Sequence, residues 1–530
     1  MKKYVKMLSL VFFSTSVANT LYAQKVCFLP QDSNPVGVAP VGSTTGDYDN
    51  DGNIDIVTTN QTGTYSILLG DGTGNFAATV NSGGGTQPYG VATGDFNEDG
   101  NDDLVFTNLA GPVVISVVLG NGDGSFGAIV NYTAASVPRD VEVEDFNNDG
   151  HEDLAVCNTG TLGPFPTLSV FLGTGTGTFG VAAYYFITGI NGSGYDVTCA
   201  DFDNDLDMDI AVAVLDTGVK VWANNGDGTF VSGMSYPVDV NILGICSDDF
   251  DSDGNPDIAA VDNLANRITI LMGNGDLSFD TSLAPIGLGN NPRSVDVGDF
   301  NRDGNPDLVV PNAGDQITVL VGDPTGNFTA IDHFPVENSP NAASVADFNN
   351  DNKLDIVVAN QAAFTASVLI NNAPDIDVTS SDDTLCIDST AILTASGCST
   401  YSWDTGDSGP TADVSPVVDT DYLVIGADAT GCENGFLYTQ LVEDCGIGGI
   451  GGGETEPALT VYPNPFVDEI HIANFSEGSF YSLEDVSGRV VEQGKILTGT
   501  LNFSNLSPGY FVLRVENVEG NAVVLNIVRQ

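Results

Sequence analysis

Residues 46–56 read GDYDNDGNIDI, and Asp47, Asp49, Asp51 and Asp55 crowd four carboxylates into nine residues. Charges of one sign packed that closely repel unless something of opposite sign sits among them. The stretch recurs as DFNEDGNDDL from Asp95, DFNNDGHEDL from Asp145, DFDNDLDMDI from Asp201, DFDSDGNPDI from Asp249, DFNRDGNPDL from Asp299 and DFNNDNKLDI from Asp347. The seven copies begin 48, 50, 56, 48, 50 and 48 residues apart. A period of that length marks a repeat architecture, in which each unit buries its apolar face only against its neighbours.

Each period repeats one pattern: an apolar stretch (YGVATGDF), the acidic loop, an apolar run (DLVFTN), a third run (ISVVLG), a glycine turn (NGDGSF) and a short final strand (GAIVNYT). Four short strands joined by glycine turns, with no helical period, describe one propeller blade. The predicted fold class is therefore all-β, a seven-bladed β-propeller over residues 25–372. The seventh unit ends at ASVLINN, residues 366–372, without the strand that follows the glycine turn elsewhere. Val26 to Pro30 precedes the first loop where a fourth strand would lie, so this segment is expected to complete the last blade and latch the ring, removing its free edges.

Asp at positions 1, 3, 5 and 9 with Gly at 6 suits a hard dication: short carboxylates converge and the backbone oxygen of position 7 adds a ligand. The predicted ligand sets are Asp47, Asp49, Asp51, Asn53 and Asp55; Asp95, Asn97, Asp99, Asn101 and Asp103; Asp145, Asn147, Asp149, His151 and Asp153; Asp201, Asp203, Asp205, Asp207 and Asp209; Asp249, Asp251, Asp253, Asn255 and Asp257; Asp299, Asn301, Asp303, Asn305 and Asp307; and Asp347, Asn349, Asp351, Lys353 and Asp355. Oxygen-only donors without a His or Cys cluster argue for Ca²⁺ over zinc, up to seven ions in all. An EF-hand would need a Glu at position 12 and flanking helices; here strands flank the loop. Leu206 replaces the glycine in the fourth loop and Asn352 in the seventh. Asn tolerates the left-handed backbone that Gly supplies and Leu does not, which makes the fourth loop the most strained.

Lys and Arg number 14 against 71 Asp and Glu, a formal charge of -57. Such a surface repels phosphate backbones, so no nucleic-acid partner is expected. Residues 1–23 combine Lys2, Lys3 and Lys6 with a short apolar run around residues 7–13, the pattern of a secretory signal peptide, and no transmembrane segment is expected in the mature chain. Export permits disulfides. Cys27, Cys157, Cys199 and Cys246 lie in apolar stretches and read at least as well as small buried hydrophobes, while Cys386, Cys398, Cys432 and Cys445 cluster and predict at least one bridge, with three pairings open. GTGTGTFG at 173–180 contains a GxGxxG, but a strand-like run follows it instead of a helix, so it is a repeat turn. GDSGP at 406–410 reads as a surface turn, and no catalytic group stands out.

The registered acidic loops resemble those of the FG-GAP or VCBS repeat family, the calcium-binding propellers similar to integrin α heads. That resemblance implies calcium hairpins on one face and ligand-binding loops on the other, such as those at residues 60–66 and 81–90. Residues 374–445, through LTASG, YSW and DATGC, resemble the Ig-like modules of Bacteroidetes surface proteins, an expected β-sandwich. GIGGIGGGETEP, residues 446–457, is a linker. Residues 458–530, with YPNPF, DVSGR and LSPGY, resemble the type A C-terminal sorting domain of the type IX secretion system, a second small β-sandwich whose presence implies export, contact with that machinery and a secreted or cell-surface location. The expected function is a non-enzymatic calcium-binding module for an extracellular protein or glycan ligand. The alternatives are a polysaccharide-active enzyme and a structural surface-layer component.

Overall fold

The computed structural model describes residues 26–443 except 31, 112–113, 136, 160–166, 187–191, 239–240, 282–283, 388 and 430. Beyond them it describes 460–462, 469–473, 479–485, 489–496, 500–503, 509–516 and 522–529. The expected signal peptide, the glycine-rich stretch at 446–457 and Cys445 lie outside the described residues.

Seven antiparallel sheets succeed one another from residue 32 to residue 369. Each begins with a strand leading into an acidic loop, such as Pro40–Gly46 or Pro138–Glu144, and continues with a strand leading out of it, such as Asp55–Asn60 or Asp153–Asn158. The second strand is buried along its whole length in all seven sheets, because a neighbouring blade covers each of its faces. That is why these six-residue runs carry apolar residues without alternation. Innermost strands of successive blades pack side by side, and Pro340–Ala346 packs against Pro40–Gly46 to close the ring. Glycine permits the approach at Gly42, where an added Cβ would stand 2.3 Å from the Tyr89 carbonyl oxygen. The fifth blade gains a further short strand, Ile286–Gly287, on Arg267–Gly273.

The cores lie between blades, and one aromatic contact repeats around the ring. Position 2 of each acidic loop is Tyr48, Phe96, Phe146, Phe202, Phe250, Phe300 or Phe348, all buried. Six of these rings meet the turn phenylalanine of the following blade, as Phe96 meets Phe179 at 5.3 Å and Phe348 meets Phe76 across the seam at 5.6 Å. The seventh, Phe300, meets Phe28 at 5.8 Å. Phe28 bridges to Asn371 as Phe76 bridges to Gly70, so the N-terminal segment supplies the turn phenylalanine that the seventh repeat lacks. The strand that follows is Asp32–Pro35, paired antiparallel with Thr365–Leu369. The pairing strand thus starts slightly later than the Val26–Pro30 of the sequence expectation, whose residues provide the buried Val26 and the Phe28 bridge.

Residues 377–443 form two facing sheets, one of three strands and one of four, around Trp403, Leu393 and Val424. This sandwich and the propeller belong to one compact unit. A disulfide between Cys27 and Cys432, with Cα atoms 5.6 Å apart, ties the ring seam to the sandwich. Reading Cys27 as a buried hydrophobe misses this bond, because proximity across 405 residues leaves no trace in local sequence. Cys386 is also disulfide-bonded, whereas Cys157, Cys199, Cys246 and Cys398 are free thiols. Gly446–Gln530 is a second unit. There a three-stranded and a four-stranded sheet enclose Ile470, Ile472, Leu483 and Leu513.

Candidate metal centres

All seven acidic loops share one hydrogen-bonded geometry. The position-1 carboxylate accepts the N–H of position 5 on one oxygen and that of position 6 on the other, at 2.7–3.2 Å. Position 6 needs a left-handed backbone to present that N–H: Gly52 has φ +89, Asn352 +63 and Leu206 +77. Leu206 therefore holds the fourth loop in the common geometry, with the backbone strain expected of a leucine at that position. Its side chain stands 85% exposed and meets no steric opposition, and only the backbone carries the strain.

The position-9 carboxylates, Asp55, Asp103, Asp153, Asp209, Asp257, Asp307 and Asp355, have no exposed surface. One oxygen of each accepts the N–H of position 2 and the other an N–H at the end of the third strand, at 2.6–3.0 Å. Each aspartate staples its loop to its blade. Burial, opposed by those two N–H donors and reinforced by neighbouring carboxylates, pushes Asp55, Asp103, Asp209, Asp257 and Asp355 up to about 7 and Asp153 to about 6. Asp307 is pushed well above the ordinary carboxylate range by the same causes.

In three loops the carboxylates converge: Asp47, Asp49 and Asp55; Asp201, Asp203 and Asp209; Asp249, Asp251 and Asp257. Within each group one oxygen per residue lies within 4.8 Å of the others. Two ligands on opposite sides of a Ca²⁺ are separated by at most about 5 Å, so the spacing fits that ion. Asp203 supports the fit, since one of its carboxylate oxygens is buried with no hydrogen-bond partner. Position 5 stands outside these groups. Asp51, Asp205 and Asp253 each accept the N–H of position 7, at 2.8–3.0 Å. In the second, third, sixth and seventh loops, Asn97, Asn147, Asn301 and Asn349 each turn an amide oxygen to the N–H of position 5, as Asp251 does with its carboxylate.

Position 4 had no role in the sequence reading, yet it joins neighbouring loops. Asn50 donates to Asn101 at 2.6 Å, Asn148 to Asp207 at 2.7 Å, Asn204 to Asn255 at 2.7 Å and Asn350 to Asn53 across the seam at 2.8 Å. Glu98 pairs with His151 in the same register, which raises the imidazole pKa. So position 7 serves through its side chain as well as its backbone. The signal was present in the sequence as matched polar residues at position 4 of one loop and position 7 of the next.

The belt gives way where the sandwich docks. The buried Lys353 ammonium turns to the Ala373 carbonyl and to Asp375, both at 2.8 Å, and lies 3.3 Å from Asp351. Gly435 donates its N–H to the Asn301 carbonyl at 2.8 Å, and its added Cβ would stand 2.8 Å from the Arg302 carbonyl oxygen. The sixth loop is consequently the most enclosed, with Asn301 and Asn305 buried.

The FG-GAP-like repeat family matches residues 47–106, 145–212 and 249–310, and the secretion system C-terminal sorting domain family matches residues 460–529. No curated protein matches the chain. Two solved structures of BBS1N in complex with ARL6DN, one soaked with mercury and one with lead, resemble it at 11% identity. Their TM-scores are 0.46 and 0.45, covering 66% and 65% of this chain and 97% and 96% of theirs. The chain is therefore a propeller of FG-GAP-like repeats carrying a secretion-system C-terminal sorting domain, which places it outside the cell or on its surface.

Proposed function

We propose that this protein is a non-catalytic extracellular binding module whose ring is rigidified by Ca²⁺ and whose ligand is a protein or glycan met on the face opposite the acidic loops. The observation that carries the reading is the engagement of the loop carboxylates. Positions 1 and 9 are spent on backbone N–H groups in every repeat, which makes the loops scaffold. The position-1 and position-9 carboxylates, the position-3 carboxylate or amide oxygen and the position-7 carbonyl would hold the ion, and its charge would offset the repulsion among the carboxylates. A rigid ring presents its opposite face without ordering cost, which favours recognition by pre-organisation.

A glycan and protein array, probed with and without chelator, tests this. Binding that weakens on chelation is expected, with no turnover of a labelled polysaccharide. Turnover would replace the reading with an enzymatic one, and an array on which nothing is retained would overturn it.

A further inference from the structure

The innermost strands enclose a channel of about 520 Å³ on the ring axis. Six residues before each acidic loop, at the end of the channel away from the loops, stand Val41, Tyr89, Arg139, Tyr195, Leu243, Arg293 and Asn341. Two arginines at one level are conspicuous in a chain with 14 basic residues among 530. The Arg139 guanidinium is clamped between the Tyr89 and Tyr195 rings, 4.5 and 4.3 Å from their centroids, and donates to the Tyr89 hydroxyl at 3.1 Å. The Thr107 hydroxyl holds the Arg139 carbonyl at 2.8 Å. From the sixth blade, Arg293 brings a buried Nε with no hydrogen-bond partner, and the adjacent Ser294 hydroxyl is equally buried and unpartnered.

Deeper in the channel lie Asp140, Glu142, Asp196 and Asp296. Asp196 and Asp296 accept N–H groups of the next blade, from Ile245 at 2.9 Å and Val345 at 3.1 Å. They join innermost strands that share no ladder, and these side chains are thereby engaged in the fold. Asp140 is hydrogen-bonded to Asp196. The hydroxyls of Ser43, Thr93 and Thr198 line the same space. The channel thus has a cationic, aromatic mouth above a shaft rich in acceptors and hydroxyls.

We infer that the channel mouth binds the terminal sugar-acid residue of a glycan, with its carboxylate on Arg139 and Arg293 and its hydroxyls directed to the carboxylates and hydroxyls below. A planar guanidinium matches a carboxylate bidentately, and the enclosed volume suits a small end group entered end-on. The body charge of -57 repels a polyanion, so an isolated acidic residue ending a neutral chain is preferred over a polyuronate. An acidic peptide would satisfy the mouth but offers few hydroxyl donors to the shaft.

This inference rests on the proposed binding role and is tested by calorimetry on the full-length secreted chain with Ca²⁺. The probes are trisaccharides ending in glucuronic, galacturonic or sialic acid, the glucose-terminated counterpart, and an acidic hexapeptide. At least one acidic trisaccharide is expected to bind ten-fold or more tighter than the neutral one. Arg139→Gln and Arg293→Gln should each weaken it at least ten-fold while leaving the upward shift of the melting temperature with Ca²⁺ unchanged. Asp71→Asn, on an exposed turn, should change nothing. Equal affinity for acidic and neutral sugars, indifference to both arginine substitutions, preference for the peptide, or binding of none of the sugars would overturn the assignment. If array ligands are still retained by the two arginine variants, only this assignment falls and the binding role stands.

Discussion

At the scale of single residues, the loops divide their aspartates by task. The position-9 carboxylate is a fully buried staple, so Asp55→Ala removes two hydrogen bonds to backbone N–H groups as well as one member of a candidate ion site. We expect a loss of about 3 kcal/mol or more in chemical denaturation, with the remaining six blades still folded by circular dichroism. Asp51→Ala should cost much less, since that carboxylate accepts one exposed N–H and stands outside the converging group. Leu206 provides the converse case. Its left-handed backbone costs roughly 1 kcal/mol with no packing in return, and Leu206→Gly should raise the melting temperature by a few degrees. No rise would mean that the greater entropy of glycine in the unfolded chain offsets the relieved strain.

At the scale of elements, the ring is completed by a segment borrowed from the far end of the sequence. Phe28 occupies the place of a turn phenylalanine, and Phe28→Ala should destabilise the seam by about 3 kcal/mol. The Cys27–Cys432 bond closes a loop spanning 405 residues. In the chain-entropy description such a bond stabilises by up to about 6 kcal/mol. Cys27→Ser with Cys432→Ser is expected to lower the melting temperature and make the first and seventh blades the earliest to exchange amide hydrogens. Uniform exchange across all blades would show that the non-covalent contacts of the seam suffice to hold it. Gly435 has a comparable place in docking the sandwich, because any side chain there meets the Arg302 carbonyl.

At the scale of the whole molecule, charge dominates. Twenty-four loop carboxylates at positions 1, 3, 5 and 9 are arranged around one face of a chain whose net charge is -57. An ion that binds the native ring and not the unfolded chain stabilises by mass action, so the melting temperature should climb with added Ca²⁺ and fall on chelation. A melting temperature indifferent to chelator would remove calcium from the account. The channel adds a pH dependence. Burial pushes Glu142 and Asp196 well above their ordinary values and Asp296 up to about 6. A carboxyl whose folded pKa is raised contributes stability below its unfolded value near 4, and that contribution is lost as pH rises through the folded value. Glu142→Gln should therefore stabilise the ring at pH 8 and leave it unchanged at pH 4, as read from paired thermal melts.

The sequence by itself determined the number of blades and the register of the loops. Those follow from short-range chemistry repeated at a fixed period, and DFNEDG reads alike wherever it stands. Long-range partners were not legible. Nothing near Cys27 announces Cys432, nothing in loop seven announces that Lys353 leaves it for Asp375, and Arg139 gains its two tyrosines only when the second, third and fourth blades meet at the axis. The matched residues at positions 4 and 7 fall between these cases, visible once the ring supplies the rule for pairing them. A repeat encodes the contacts of one unit with the next, because those recur in every period. Contacts made once, at the seam, the docked sandwich and the channel mouth, depend on where the closed ring brings distant residues together, and only the tertiary structure decides that.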